Sequence, residues 1–368
     1  MSTPKPNERS KPTLVQKYGG SSLADPAALQ RVAQAIVARV EGGANLVVVV
    51  SAMGGSTDAL IKLAAQVSTT PKRRELDMLL STGERVTMAL LSMAIADRGV
   101  EAISFTGSQC GIITNDTHTD ARIIDVRPVR VEDELKRGRV VIVAGFQGMS
   151  YKREITTLGR GGSDTTALAL AAALGADCCE IYSDVAGIFS ADPKVVEDAK
   201  LLDRIGYGSL ETLARSGAKV LQADAVAWAR RSGIQFRARQ TGNDSAGTLV
   251  GDVLNSGPQA IASSRERRFI SDTSQAQHLA KCLVHACDQG LVIDSVNLHG
   301  ELPGVACCTL SVIGEDLLAD PTILERFLSV VGEADAWWST PYGLHTRLPA
   351  ECDLEALTQR LHQCLIGA

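Results

Sequence analysis

The stretch that decides the fold is Leu14-Val-Gln-Lys-Tyr-Gly-Gly-Ser-Ser22, near the start of the chain. It begins as an apolar strand, reaches a lysine, and then turns through two glycines and two serines. Asp25-Pro26 follows, an N-cap residue and a proline at the first helical position. Glycines let backbone N–H groups approach a polyanion, and a helix N-terminus favours negative charge. The order strand, glycine turn, helix indicates a phosphate-binding loop, although ordinary connections use the same residues.

A second glycine-rich segment, Thr157-Leu-Gly-Arg-Gly-Gly-Ser-Asp-Thr-Thr166, precedes an alanine-rich helix. Arg160 could hold a carboxylate through two hydrogen bonds, and Asp164 could organise Mg²⁺ or a phosphate-binding lysine. The sequence has no G-x-x-x-x-G-K-[ST] pattern, so it is not a P-loop enzyme. Two such loops in one domain favour a nucleotide-dependent active site over two structural turns.

Strand-like and helix-like patterns alternate through the first ~250 residues. Leu46–Val50, Val140–Ala144 and Cys179–Tyr182 are apolar runs typical of strands that are buried on both faces. Glu75–Ala96 is predicted to form one long helix. The alternation predicts an α/β fold, a mostly parallel sheet sandwiched by helices.

With 368 residues, the chain is long enough for two domains. We expect a flexible tail, a catalytic α/β domain, a loop-like linker and a smaller α+β domain with a regulatory or dimerising role. Their predicted bounds are 1–12, 13–252, 253–264 and 265–368.

The composition excludes several classes of function. The net charge is −5 and aromatic residues make up only 4%, so neither a basic track nor a base-stacking surface for nucleic acid is expected. The apolar runs are too short to span a bilayer, and the N-terminus lacks the apolar core of a signal peptide. Nine cysteines, some adjacent within apolar segments, suit buried thiols better than disulfides. We expect a cytoplasmic protein that binds neither membrane nor nucleic acid.

Nine short segments extend the two-loop pattern over roughly residues 13–250. They are Val15–Ser22, Val50–Gly54, Ser81–Arg85, Ser104–Gln109, Val143–Gly148, Thr156–Thr166, Tyr182–Val185, Ala191–Pro193 and Gly217–Leu221. In composition and order they resemble the aspartate kinases of the amino acid kinase superfamily. The resemblance implies the amino acid kinase fold for this part of the chain.

The same resemblance implies the site residues. Lys17 would contact the transferring phosphoryl group, with Asp164 and Lys219 as the other catalytic residues. Arg160 would pair with a substrate carboxylate and Glu84 with the α-ammonium group. The full set implied for substrate binding is Ser51, Thr57, Glu84, Arg160 and Ser163.

The nucleotide is expected to be ATP with Mg²⁺ as its cofactor, and no metal site of the protein's own is expected. The residues implied for nucleotide binding are Lys17, Gly19, Gly20, Ser21, Ser183, Asp184, Phe189, Asp192, Lys194 and Lys219. Many relatives have tyrosine where Phe189 stands and arginine where Lys194 stands. These departures remove a hydroxyl group and the two-pronged hydrogen bonding of a guanidinium group. We expect them to affect nucleotide affinity more than phosphoryl transfer.

The implied reaction is transfer of the ATP γ-phosphoryl group to the β-carboxylate of L-aspartate, giving 4-phospho-L-aspartate. This reaction would supply lysine, threonine and methionine synthesis or a specialised pathway. Two alternatives remain open. One is an amino acid kinase with an altered carboxylate substrate, and the other is a regulatory homologue that binds nucleotide without turnover.

The C-terminal third departs from the family. Relatives usually carry two tandem ACT modules there, and this segment is short for two copies, so we expect a reduced ACT-like region and loss of inhibition by lysine or threonine. A homodimer or higher homo-oligomer is expected. His118, in the polar Asn115–Asp120 loop, is interpreted as a solvated histidine, although a catalytic base is conceivable. Cys282, His285 and Cys287 are interpreted as core residues rather than zinc ligands.

Overall fold

The fold was analysed in a computed structural model that describes residues 11–218, 220–252, 257–268, 305–332, 336–349 and 351–367. Three sequence predictions fall outside these residues and stay predictions. They concern the tail up to residue 10, the catalytic role of Lys219, and the group Cys282, His285 and Cys287.

The N-terminal domain contains twelve strands in its described residues. They are β1 (Thr13–Tyr18), β2 (Asn45–Val50), β3 (Ala102–Phe105), β4 (Ile112–Thr114), β5 (Ile123–Val126), β6 (Val140–Ala144), β7 (Gln147–Ser150), β8 (Ile155–Thr157), β9 (Cys178–Ser183), β10 (Arg204–Gly206), β11 (Phe236–Gln240) and β12 (Thr248–Gly251). Eight form the main sheet in the order β10-β12-β11-β9-β1-β2-β6-β3. Neighbours in this sheet are parallel except β11 and β12. The predicted parallel sheet is confirmed.

Helices cover both faces of this sheet. They are α1 (Pro26–Glu41), α2 (Ser56–Val67), α3 (Arg73–Leu80), α4 (Thr82–Ala96), α5 (Val129–Lys136), α6 (Gly162–Leu174), α7 (Tyr207–Arg215) and α8 (Ala223–Ser232). α1 and α4 pack with Val48 and Val50 of β2 on one face, whereas α5, α6 and α8 pack with Val47 and Val49 on the other. The alternating side chains of β2 are therefore buried on both sides, as its unbroken apolar run predicted.

The start of α1 follows the sequence signals. The side chain of Asp25 accepts a hydrogen bond from the backbone N of Ala28 at 2.7 Å, and Pro26 is the first helical residue. Gly42 ends the helix. This geometry fixes the direction in which the chain leaves the first glycine-rich loop.

The single long helix predicted over Glu75–Ala96 is wrong, because the chain forms α3 and α4 with a break at Ser81. The carbonyl of Ser81 accepts a hydrogen bond from Gln147 Nε2 at 2.8 Å. Arg73–Ala96 is long and apolar enough to cross a membrane, yet half of its most apolar window is buried. Because Asp77 and Glu84 are among the buried residues, we read this segment as a core helix pair.

The C-terminal unit is a separate antiparallel sheet with two helices. Its strands are β13 (Gly257–Arg268), β14 (Val305–Glu315), β15 (Ala336–Thr340) and β16 (Gly343–Pro349), in the order β13-β14-β16-β15. The helices α9 (Pro321–Val331) and α10 (Leu354–Leu365) pack on one face, where Phe327 and Leu361 meet Leu310 and Val312. The smaller α+β unit is confirmed.

The linker predicted over residues 253–264 is wrong for 257–264. Those residues form most of β13, which pairs with β14 along its length. Ala260, Ile261 and Ala262 are buried. The segment with the loop-like composition is therefore a strand whose centre is buried.

A second small sheet, of order β5-β4-β7-β8, was not predicted. Its strands are only three or four residues long, too short to show a sequence period. Its last strand, β8, ends at Thr157 and delivers the second glycine-rich loop. The small sheet therefore positions that loop beside the main sheet.

Candidate active site

The ends of β1 and β2 and the start of α6 surround a cavity of about 640 Å³. Both glycine-rich loops and the segment between α7 and α8 contribute to its wall. The lining residues include Lys17, Gly20, Ser51, Ala52, Gly54, Thr57, Glu84, Phe146, Gly161, Gly162, Ser163, Asp164, Val220, Leu221 and Gln222. The cavity lies at the carboxyl ends of parallel strands, where open α/β sheets commonly bind their ligands.

An ion pair joins the two glycine-rich loops. Lys17 Nζ, from the end of β1, lies 2.6 Å from Asp164 Oδ1, from the first turn of α6. Both side chains are close to nine-tenths buried. A lysine held in this way presents a fixed positive charge at the cavity wall, where an anion would be neutralised with little rearrangement.

The first loop packs tightly against the loop that follows β2. A Cβ on Gly20 would lie 2.9 Å from the carbonyl oxygen of Ala52, and the backbone N of Gly54 donates to the carbonyl oxygen of Gly20 at 3.1 Å. Side chains at Gly20 would therefore push the two loops apart. A Cβ on Gly19, the first glycine of the loop, would lie 3.5 Å from Lys17 Nζ.

The second loop enters α6 through Gly161, whose φ of +74° favours glycine. A Cβ there would lie 2.2 Å from Cγ of Gln222, so the loop packs directly on the start of α8. Ser163 and Asp164 follow in the first turn of α6. Both are buried against the cavity.

Glu84, in the first turn of α4, is only 3% exposed. Its Oε1 accepts a hydrogen bond from the backbone N of Ala52 at 3.1 Å, whereas Oε2 has no hydrogen-bond partner among the residues that the structure describes. Burial raises the pKa of Glu84 to about 7. An unpaired carboxylate oxygen at a cavity wall is suited to receive the N–H groups of a ligand ammonium.

The residues implied for substrate binding come together with one exception. Ser51, Thr57, Glu84 and Ser163 line the same cavity. Arg160 immediately precedes the lining Gly161, but its side chain is exposed and lies outside the wall. Reaching a carboxylate in the cavity would require the Arg160 side chain to fold inward.

The residues implied for nucleotide binding are more dispersed. Ser183 lines a smaller cavity of about 40 Å³ that also touches Lys17 and Asp164. The two cavities thus share the ion pair as their common wall. Ser183 also lines a third cavity, of about 760 Å³, together with Ser21, Asp184 and residues of α1.

The loop between β9 and β10 carries the other three of these residues. Phe189 is half-buried and forms an isolated bridge with Leu201, and Asp192 and Lys194 are exposed. The side chain of Asp192 accepts a hydrogen bond from the backbone N of Lys194 at 2.9 Å, which shapes a local turn.

A buried network beside the site was missed in the sequence. Asp77, on α3, is fully buried and accepts hydrogen bonds from Thr157 Oγ1 and from the backbone N of Thr119. His118 Nδ1 lies 2.5 Å from Asp77 Oδ2. The interpretation of His118 as a solvated loop histidine is therefore wrong, because its partner belongs to the domain core.

Two lining residues, Phe146 and Gln222, were also missed. Phe146 has a φ of +66°, which is unusual for a bulky residue. The sequence signals for it were its place in Val143–Gly148, one of the nine segments that carry the resemblance, and the glycines Gly145 and Gly148 near it. Gln222 had no signal beyond its position after the segment Gly217–Leu221.

The model of the amino acid kinase family matches residues 12–237. The match covers more than half of the chain, which therefore belongs to the amino acid kinase family. Within the family it is similar to the aspartate kinases. The aspartokinase of Mycobacterium tuberculosis (strain H37Rv) is 56% identical over 238 residues, which are 64% of this chain and 56% of the relative. Aspartokinase 2 of Bacillus subtilis (strain 168) is 50% identical over 237 residues, 64% of this chain and 58% of the relative. The chain thus matches somewhat over half the length of these curated relatives.

Solved structures give the same grouping. An aspartate kinase from Synechocystis is 32% identical with a TM-score of 0.60, covering 95% of this chain and 69% of that one. E. coli aspartokinase III, in complex with aspartate and ADP, has a TM-score of 0.81 and covers 96% of this chain and 99% of that one. At 24% identity, the second likeness concerns the fold alone.

Proposed function

We propose that this protein transfers the γ-phosphoryl group of ATP to the β-carboxylate of L-aspartate, forming 4-phospho-L-aspartate. The observation that carries the proposal is the Lys17–Asp164 ion pair in the wall of the 640 Å³ cavity, where a desolvated lysine can neutralise a phosphoryl group. The same cavity contains the unpaired oxygen of Glu84 and suits an amino acid. Phosphoryl transfer would take place between the amino acid and the nucleotide, beside Lys17.

The proposed roles follow from charge. Glu84 binds the α-ammonium group through its free oxygen, and Arg160 folds inward to hold a carboxylate of the substrate. Ser51, Thr57 and Ser163 add polar groups to the same wall. The reacting carboxylate is already ionised, so the protein supplies positioning and charge neutralisation rather than a general base.

On the nucleotide side, Lys17 and Lys219 neutralise the phosphates, and Gly19, Gly20 and Ser21 approach them through the backbone. Ser183, Asp184, Phe189, Asp192 and Lys194 are proposed to contact the rest of the nucleotide. Among the described residues, no group of three acidic, histidine or cysteine side chains surrounds a metal position. Because Mg²⁺ is commonly held by substrate phosphates and one or two carboxylates, we propose that it enters with ATP and that Asp164 is the available carboxylate.

A regulatory homologue without turnover remains the alternative. The intact set Lys17, Arg160, Asp164 and Lys219 argues against it, since a protein that only binds nucleotide has no physical need for the whole set. A kinase for another carboxylate substrate is the second alternative. Glu84 favours an α-amino acid, but the exposed Arg160 leaves the distance between the two carboxylates of the substrate less constrained.

A homodimer or higher homo-oligomer is also proposed. Val86, Leu90 and Met93 form a stripe on the solvent side of α4, and each is at least 41% exposed. Residues spaced by three and four positions share one helix face. An apolar stripe of this kind suits contact with a second copy of the chain, and measurement of the molar mass in solution tests it.

The decisive experiment incubates the protein with ATP, Mg²⁺, hydroxylamine and a panel of amino acids. Hydroxylamine traps an acyl phosphate as a hydroxamate, and added ferric iron converts the hydroxamate to a coloured complex. Aspartate alone should give the product, whereas a signal with another dicarboxylate would support the altered-substrate alternative. No product with any amino acid, together with measurable ATP binding, would support the regulatory homologue.

A further inference from the structure

A buried histidine of the C-terminal unit contacts the loop between β9 and β10. His362, on α10, is fully buried, and its Nε2 lies 2.9 Å from Oγ of Ser190. Ser190 is fully buried as well. A hydrogen bond thus joins two residues that are 172 positions apart, one in each domain.

Ser190 is held at each of its polar groups. Its backbone N donates to the carbonyl oxygen of Lys200 at 2.8 Å, and its Oγ accepts from the backbone N of Lys200 at 2.9 Å. Its carbonyl oxygen accepts a hydrogen bond from the backbone N of Ile261 in β13 at 2.8 Å. Two of the anchors, His362 and Ile261, come from the C-terminal unit.

A second contact from α10 reaches the same loop. Gln359 Nε2 donates to the carbonyl oxygen of Val195 at 2.8 Å. Gln359 lies one helical turn before His362, so both side chains project from one face of α10. That face contacts the loop on either side of Lys194.

Burial of the His362 ring is unfavourable for stability, which indicates that this side chain does more than fill space. Nδ1 of His362 is buried without a hydrogen-bond partner in the described part of the chain, and Asp198 Oδ1 is 3.8 Å away. A leucine would fill a similar volume and leave no ring nitrogen unsatisfied. Burial lowers the pKa of His362, with Asp198 and Lys200 as the charged groups that face it. The neutral ring can still accept a hydrogen bond from the Ser190 hydroxyl group.

The loop that is held in this way carries residues proposed to bind the nucleotide. Phe189 precedes Ser190 directly, and Asp192 and Lys194 follow within four positions. Because Asp192 and Lys194 are exposed, their positions depend on how firmly the loop backbone is held. A loose loop would have to be ordered by the nucleotide itself, at a cost in affinity.

We propose that His362 is a positioning residue for the nucleotide: through Ser190 it fixes the loop that contacts ATP, so the C-terminal unit contributes to nucleotide affinity. This inference rests on the proposed nucleotide role of that loop. It assigns the C-terminal unit a function in every turnover, whether or not an effector binds there.

The test compares His362→Leu, Ser190→Ala, the double variant and His362→Gln, with Gln363→Leu as the matched control. Gln363 is the next residue of α10 and is exposed. Loss of one buried hydrogen bond should raise the KM for ATP about tenfold in His362→Leu, with the KM for aspartate changed less than about twofold. His362→Gln keeps an amide in reach of Ser190 and should recover most of the affinity.

Coupling between the two residues provides the second readout. If the hydrogen bond carries the effect, the double variant should be no worse than the more affected single variant. An unchanged KM for ATP in both single variants, an equal rise in both KM values, or additive effects would overturn the inference. If His362→Leu does not fold, Ser190→Ala, which removes only a hydroxyl, decides by the same criteria.

Calorimetric titration with Mg-ATP separates this inference from the proposed function. If the unmodified protein forms no hydroxamate with aspartate, the proposed reaction fails, but the titration still measures whether His362→Leu weakens ATP binding. If ATP binds the unmodified protein and the variants equally well, the positioning role fails even though the kinase reaction stands.

Discussion

Lys17 and Asp164 form an ion pair of 2.6 Å between two loops that are far apart in the sequence. Each side chain is mostly buried, so loss of either member would leave a buried charge without its partner. The pair therefore fixes the separation of the two glycine-rich loops and keeps a positive charge at the cavity wall. In the proposed phosphoryl transfer, the pair would bring residues of both loops to one ligand.

Replacement of either member should abolish most turnover. Lys17→Ala removes the positive charge, and Asp164→Ala leaves the lysine free to move, so we expect at least an approximately 100-fold loss of kcat in each. The hydroxamate assay measures the loss, and circular dichroism checks that the fold survives. Lys152→Ala is the matched control, because Lys152 is exposed and pairs with Asp116 at the surface. Near-normal turnover in either site variant would contradict the assignment.

The raised pKa of Glu84 predicts a pH dependence of substrate binding. Only the ionised carboxylate attracts the substrate ammonium, and burial raises the pKa of Glu84 to about 7. The kcat/KM for aspartate should therefore rise as the pH increases through about 7 and level off above it. Glu84→Gln should raise the KM for aspartate and remove this limb of the profile. A profile that is the same in both proteins would mean that another group titrates.

The same group predicts an effect on stability. In the unfolded chain the pKa of Glu84 is near its ordinary 4.5, and in the fold it is about 7, so the folded protein binds the extra proton between these values. Stability contributed by neutral Glu84 is thus present below about pH 4.5 and is lost as the pH rises towards 7. Glu84→Gln should be more stable than the parent at pH 8, with a smaller difference at pH 5. Thermal unfolding at the two pH values measures this, and a larger gain at pH 5 would contradict it.

The sequence predicted features that depend on neighbouring residues and missed features that depend on contacts between residues far apart in the chain. The unbroken apolar run of β2 predicted a strand covered on both faces, and Asp25-Pro26 predicted the start of α1, because both signals are local. The break at Ser81 was missed because it involves Gln147, a residue 66 positions away. The charge pairing of Lys17 with Asp164 could be suspected from the two loops, but their contact follows only from the sheet order that brings β1 beside the start of α6.

The proposed site also contains a residue whose position has to change. Because Arg160 is exposed beside Gly161, we expect it to act on the incoming substrate rather than on the empty fold. Arg160→Ala should raise the KM for aspartate at least about tenfold and the KM for ATP much less, since a charge-assisted pair with a carboxylate is lost. Arg160→Lys keeps the charge without the fork and should fall between the two. A larger effect on the KM for ATP would mean that the two ligand sites are interchanged.

The last prediction concerns Asp77, which the sequence did not single out. Asp77 connects α3 to the His118 loop and to Thr157, and Gly159 and Arg160 follow Thr157 closely. Because α3 leads directly into α4 and Glu84, one buried carboxylate ties together the two sides of the proposed aspartate site.

His118→Ala should therefore affect aspartate more than ATP. It leaves Asp77 Oδ2 without its imidazole partner, which should cost about 1–3 kcal/mol of stability and loosen the second loop. We expect a higher KM for aspartate and an ATP KM close to that of the parent. His118→Asn can restore a donor to Asp77 and should recover part of the loss, whereas Asn115→Ala, a change elsewhere in the same loop, tests loop effects unrelated to Asp77. If His118→Ala lowers stability while both KM values stay unchanged, the network supports the fold alone. If the KM for aspartate rises and His118→Asn returns it towards the parent value, the hydrogen bond to Asp77 positions the substrate loop.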